Sequence, residues 1–283
     1  MREVRRSGLE YLTLVTELLQ RARLADPDAG QWEAADLQWW WRMPRVSDAI
    51  EQLFWVDDDD APVAAAVLTE WRDGWGLDPI ALPGIDRSAI CERALEAIVA
   101  LGLERVDTLV RDDDAEMLRF VAGAGFVAQE ERDGTTWMNS GDRLAPTAVA
   151  DGFALVDRAK EHTQPHPMRH RNGDAVEERL QQCSLYDPEL DLAVRTADGE
   201  YAGYALFWFD PVTKVGLLEP MRVEDAFQRR GLARALLTEG LERLVGMGAR
   251  RLKVSYATDA ARALYTGAGF RVTATSTTYT LRQ

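Results

Sequence analysis

Cysteine and histidine are scarce in this chain of 283 residues, with two of the first and three of the second. Cys91 and Cys183 lie far apart without metal-ligand spacing, which excludes a disulfide framework and makes a reducing cytoplasm the expected compartment. The histidines His162, His166 and His170 recur every four residues, but Pro165 and Pro167 break any helix that would gather them, so no metal site is expected. Positive charge is also short. Lys and Arg total 33 against 47 Asp and Glu, a formal charge of −14. Counterion release cannot drive such a surface onto a polyanion, so nucleic acid and anionic membranes are not expected partners, and a small cationic molecule suits the field better. Long apolar runs are absent too. The opening MREVRRSGLEYLTLVTELLQ places basic residues before an apolar stretch, but Glu10 and Glu17 interrupt it and no small-residue cleavage site follows. It reads as an amphipathic helix, not an export signal.

What is present is enough apolar residue, 46%, to fill two ordinary cores. The chain also repeats itself. ALEAIVALGLERVDTLVRDDDAEMLRFVAGAGF (94–126) is echoed by ALLTEGLERLVGMGARRLKVSYATDAARALYTGAGF (235–270), each a helix, a glycine-marked stop, a short strand, a helix and a GAGF turn. Upstream, 53–71 and 192–209 share a hairpin pattern with an acidic turn, and Asp78-Pro79 parallels Glu219-Pro220. The polar stretch 140–152 reads as the linker, giving domains over 1–143 and 150–283. In the second copy the periodicities predict strands near 153–156, 192–209, 216–223 and 252–256, with helices over 174–183, 232–245 and 260–267. A hairpin followed by strand, helix, strand, helix implies an α/β fold with a mixed sheet.

Between the 216–223 strand and the next helix lies Gln228, Arg229, Arg230, Gly231, Leu232, Ala233, followed by Arg234. A glycine there lets backbone approach a ligand closely, and a helix start offers unpaired amides and a positive dipole end to an anion. A basic glycine-containing triplet is also common on plain solvated surface. Here it is joined to an ARALYTGAGF ending, and the combination resembles the GNAT superfamily of N-acetyltransferases over 150–283. The family's loop pattern, Gln or Arg, two residues, Gly, one residue, Gly or Ala, is met by Gln228, Gly231 and Ala233.

The resemblance implies acetyl-CoA as cosubstrate. The loop and helix start would hold the pyrophosphate, and the backbone of Met221, Arg222 and Val223 would pair with the pantetheine arm. It also implies Tyr265 as general acid toward the departing thiolate, the alternative being a Tyr that only packs. An alkylammonium must lose a proton before attacking a thioester, and Glu219, on the strand leading to Met221, is the candidate base, the alternative being an ordinary exposed strand residue. An amide at Met221 or a neighbour is the candidate donor to the thioester oxygen. His166, in the segment that borders the acceptor in this family, is a further candidate for substrate contact.

The first copy departs from the pattern. It reads PGIDRSAICERA where the loop should be, Asp86 would repel phosphate, and Phe120 replaces Tyr265. It is expected to bind no coenzyme and to serve structurally. The acceptor expected for the second copy is a small-molecule amine. The tandem arrangement and the terminal STTYTL are similar to mycothiol synthase as well, and a non-catalytic acyl-CoA-binding sensor remains the reading from another class. A monomer or a homodimer fits equally. QWEAADLQWWWRMPR (31–45) gathers four of the nine tryptophans in an expected amphipathic helix, either as core packing or as an aromatic wall for an acceptor.

Overall fold

The structure is a computed structural model and describes residues 1–28 and 30–282. In chain order the elements are β1 (Arg2–Arg6), α1 (Gly8–Ala25), α2 (Ala34–Trp40), β2 (Gln52–Val56), β3 (Pro62–Trp71), β4 (Gly74–Ala81), α3 (Arg87–Ala100), β5 (Arg105–Arg111), α4 (Ala115–Gly123) and β6 (Val127–Asn139). There follow β7 (Phe153–Asp157), α5 (Arg169–Asn172), α6 (Val176–Gln181), β8 (Asp191–Thr196), β9 (Tyr201–Asp210), β10 (Val215–Val223), α7 (Leu232–Gly246), β11 (Arg251–Tyr256), α8 (Asp259–Gly267) and β12 (Arg271–Arg282). They form two compact units. The first comprises 1–37, 44–134 and 274–283; the second comprises 38–43 and 135–273.

In the first unit the strand order is β1-β2-β3-β4-β5-β12. Neighbours are antiparallel except β4 and β5, which run parallel. The sheet is buried on both faces, which is why Ala64 to Val67 read as a continuous apolar run. On one face Ala64, Ala66 and Leu68 alternate toward Ile90, Ala94 and Ile98 of α3. On the other, Phe54 meets Tyr11 of α1 at 6.2 Å between ring centroids. Leu12, Val15, Leu18 and Leu19 recur at helical spacing and bury that face of α1.

The second unit has the order β6-β11-β10-β9-β8-β7; β10 and β11 run parallel, while β10-β9, β9-β8 and β8-β7 are antiparallel. Its core packs Leu236, Leu237, Leu241 and Leu244 of α7 against Leu192, Ala205, Phe207 and Leu252, and each fully buried leucine contributes roughly 2 kcal/mol. Gly240 lets α7 come this close, because a Cβ there would lie 2.1 Å from the Phe207 ring.

Three sequence expectations are corrected. Residues 2–6 are a strand and not the start of the amphipathic helix, because Val4 pairs with Phe54 in an antiparallel ladder that no local pattern reveals. Of 31–45 only Ala34–Trp40 is helical. The helix ends where Gln38–Met43 is claimed by the second unit: the Trp41 indole donates to Gln182 Oε1 (2.8 Å), Arg42 Nε donates to Asn172 Oδ1 (2.7 Å), and the Gln38 amide bridges Ser184 Oγ and the Leu185 amide (both 2.8 Å). Arg179 and Arg42 lie over the Trp41 and Trp39 rings, both at 3.9 Å. Finally, the compact units do not follow a cut between 143 and 150. Residues 276–282 of β12 pair with β5, so the end of the chain completes the first unit's sheet.

Both cysteines are buried and unpaired. Among the described residues no helix is long and apolar enough to cross a membrane, and no group of three or more His, Cys, Asp or Glu stands ready to hold a metal ion.

Candidate active site

The parallel pair of the second unit is joined over only three residues. Val215, Gly216 and Leu217 face Arg251, Leu252 and Lys253, after which β10 runs on to Val223 and β11 to Tyr256 without pairing further with each other. A bulge between Leu218 and Met221 in the ladder with β9 marks where β10 turns away, at a cis Glu219-Pro220 bond. Met221, Arg222 and Val223 stay paired with Ala205, Tyr204 and Gly203 of β9, so their opposite backbone edge is open toward the gap.

The loop from β10 to α7 lies beside that gap. Arg229 and Gly231 both adopt left-handed backbone, with φ of 62° and 77°. Gln228 pins the turn by donating to Asp225 Oδ1 (3.0 Å) and the Val223 carbonyl (3.4 Å). The first helical bond of α7 runs from the Ala235 amide to the Gly231 carbonyl. Among the described residues, none accepts a hydrogen bond from the amides of 229 through 234. Left-handed turns of this kind converge such amides into an anion-binding concavity at the positive end of a helix. A Cβ on Gly231 would meet nothing within 4 Å, so the space above the loop is open. Arg229, Arg230 and Arg234 are exposed around it. Arg230 lies 5.8 Å from both the Phe153 and Phe227 rings, while the Leu232 side chain is core and leaves only its amide to the loop.

Tyr265, on α8, is 6% exposed and packs edge-on to Phe270 at 6.2 Å. Burial pushes its phenol well above the usual range, and the negative charge of Glu219 adds to the shift. The two residues expected to do chemistry are therefore within electrostatic reach of each other. The Glu219 carbonyl accepts from Trp208 Nε1 (2.8 Å), an anchor that no local pattern announces. His166 is placed differently. It is buried, Nε2 bonds Asp191 Oδ2 (2.8 Å), and Nδ1 accepts from the Met168 amide (3.2 Å). With both ring nitrogens engaged it orders its own loop, on the wall of a cavity of about 890 Å³ that Tyr204, Arg222 and Glu224 also line.

The first unit repeats the frame with opposite electrostatics. β4 and β5 pair only at Trp75 with Val106 and Gly76 with Asp107 before parting. Phe120 sits 6.3 Å from Phe126, the same ring pair as Tyr265 and Phe270 but without a hydroxyl. At the start of α3, however, the amides are already taken: Asp86 accepts from Ser88 and Ala89, and Glu116 Oε1 accepts from Arg87 (2.7 Å). Asp78-Pro79 stays in unbroken register with β3, so this unit lacks the bulge as well.

Residues 155–270 match the model of the Acetyltransferase (GNAT) family. No curated protein matches the chain. Solved structures of the same fold include a tandem GNAT protein from the clavulanic acid biosynthesis pathway, 15% identical with a TM-score of 0.72, covering 99% of this chain and 98% of that one. A GCN5-related N-acetyltransferase from Sphaerobacter thermophilus is 18% identical with a TM-score of 0.62, covering 99% and 95%. An acetyltransferase of the GNAT family from Colwellia psychrerythraea is 12% identical with a TM-score of 0.56, covering 100% of both chains. Likeness at these identities is likeness of fold. The chain thus has a tandem GNAT fold, within which residues 155–270 match the acetyltransferase (GNAT) family model.

Proposed function

We propose that the second unit transfers an acetyl group from acetyl-CoA to the amine of a small molecule. The observation that carries this reading is the run of unpartnered amides from 229 to 234, opening beside the parted β10 and β11. Those amides and the neighbouring arginines would hold the pyrophosphate, with Gln228 keeping the turn in shape. The free edge of Met221–Val223 would pair with the amides of the pantetheine arm. When bound, the coenzyme supplies an acyl thioester. Glu219 takes the proton that the acceptor ammonium must shed, and the freed nitrogen attacks the acyl carbon. The Met221 amide, beside the bulge, donates to the carbonyl oxygen as charge gathers there. Tyr265, kept protonated by burial and by the Glu219 charge, gives its proton to the sulfur as the carbon–sulfur bond breaks. The chain's acidity favours approach of a cationic acceptor.

The test is incubation with acetyl-CoA and a panel of small amines, read as thiol release, beside calorimetric titration of coenzyme. Gly231→Trp fills the open space above the loop and strains a left-handed position. It should weaken coenzyme binding on the order of a hundredfold or more. Unchanged affinity in that variant would show that the coenzyme lies elsewhere. Binding without thiol release on any amine would instead favour a coenzyme-binding sensor.

A further inference from the structure

Where β4 and β5 part, the first unit encloses a cavity of about 450 Å³, within the size range of small-molecule sites. Its apolar wall includes Leu19, Ile80, Leu82, Leu109 and Met117. Three arginines also line it, and each is already matched by a carboxylate. Arg23 pairs with Glu33 (2.5 Å), Arg87 with Asp114 (2.6 Å) and Glu116 (2.7 Å), and Arg111 with Asp113 (2.7 Å). The helix start that could welcome an anion is occupied by Asp86 and Glu116.

A buried carboxylate in the lining has no such match. Asp78, at the parting point of β4, is 7% exposed and borders the cavity. Trp32 Nε1 donates to its Oδ1 (2.9 Å). Among the described residues Oδ2 has no donor, and no Lys or Arg pairs with this carboxylate. A carboxylate withdrawn from water without a cation is expensive. The neighbouring charge of Asp36 makes ionisation harder still. Hydrophobic packing would not select such a group, whereas a ligand bearing the missing charge would compensate it.

We infer that this cavity binds a small organic cation, a primary ammonium on a compact apolar body, with Asp78 as its counter-charge. The ammonium donates to Oδ2 and the apolar body lies against the aliphatic wall. The site is separate from the coenzyme loop of the second unit and needs none of its residues.

The experiment is isothermal titration of the full chain at pH 8 with benzylammonium, and with benzyl alcohol as a neutral counterpart of similar shape. Asp78→Asn keeps an acceptor for Trp32 and removes the charge, while Glu219→Gln controls for amine binding in the second unit. The expected result is saturable ammonium binding that weakens on the order of tenfold or more in Asp78→Asn, is unchanged in Glu219→Gln, and exceeds binding of the alcohol by a similar factor. Any of four outcomes overturns the inference: no saturation up to about 10 mM, equal affinity for the alcohol, indifference to Asp78→Asn, or loss with Glu219→Gln instead. Circular dichroism of Asp78→Asn establishes that a loss is not unfolding.

Discussion

Replacing Asp78 with asparagine should stabilise the protein at neutral and alkaline pH and leave it nearly unchanged in acid. Burial raises the carboxyl from 3.8 to about 7, the charge of Asp36 pushes the same way, and the Trp32 indole hydrogen bond only partly opposes them. The folded chain therefore keeps this proton up to about pH 7, whereas the unfolded chain releases it near pH 4. Across that window the native state binds more protons, so its stability falls as pH rises, and the full penalty applies above the folded value. A separation of roughly three pH units corresponds to as much as about 4 kcal/mol. The Asn side chain is nearly isosteric and still accepts from Trp32, so little else changes. Urea unfolding followed by circular dichroism at pH 4, 6 and 8 should give an Asp78→Asn advantage that is small at the lowest pH and grows with each step. An advantage independent of pH, or a variant less stable at pH 8, would refute the assignment of Asp78 as a buried carboxylate without a cation.

Other outcomes follow from the same geometry. Tyr265→Phe should lower kcat on the order of a hundredfold while leaving the calorimetric Kd for coenzyme unchanged, since only the proton-donating hydroxyl is removed; a normal kcat would reduce Tyr265 to packing. Gly240→Ala should destabilise by about 2 kcal/mol in urea, because crowding at the Phe207 ring outweighs the roughly 1 kcal/mol that alanine gains in a helix. A more stable Gly240→Ala would mean that α7 shifts freely away from β9.

Features set by neighbours in sequence were legible before the fold was known. The Gln228–Ala233 loop could be read because a basic, glycine-containing stretch just before a helix is a local signal, and the structure adds that Gly231 is left-handed. The hairpins at 53–71 and 192–209 followed from period-two alternation and an acidic turn. Tyr265 was singled out by the resemblance of ALYTGAGF to the family's ending, and the structure sets it on α8. Features that depend on distant partners were hidden. Glu116 reaches the Arg87 amide across 29 residues, and His166 meets Asp191 across 25. Either contact requires a sheet already assembled. The Glu219-Pro220 bulge was also out of view, since the matching Asp78-Pro79 pair stays in register and only the ladder with β9 tells the two apart.

The reciprocal loan of segments has a consequence for inheritance. Residues 274–283 complete the first unit, where Tyr279 and Leu281 pack beside Val110 and Met117, while Gln38–Met43 braces the second. A gene severed between codons 143 and 150 would encode one product missing an outer stave of its sheet and another missing its tryptophan clasp. Each half therefore draws one of its own supports from beyond such a cut, and the two are tied into one unit of heredity.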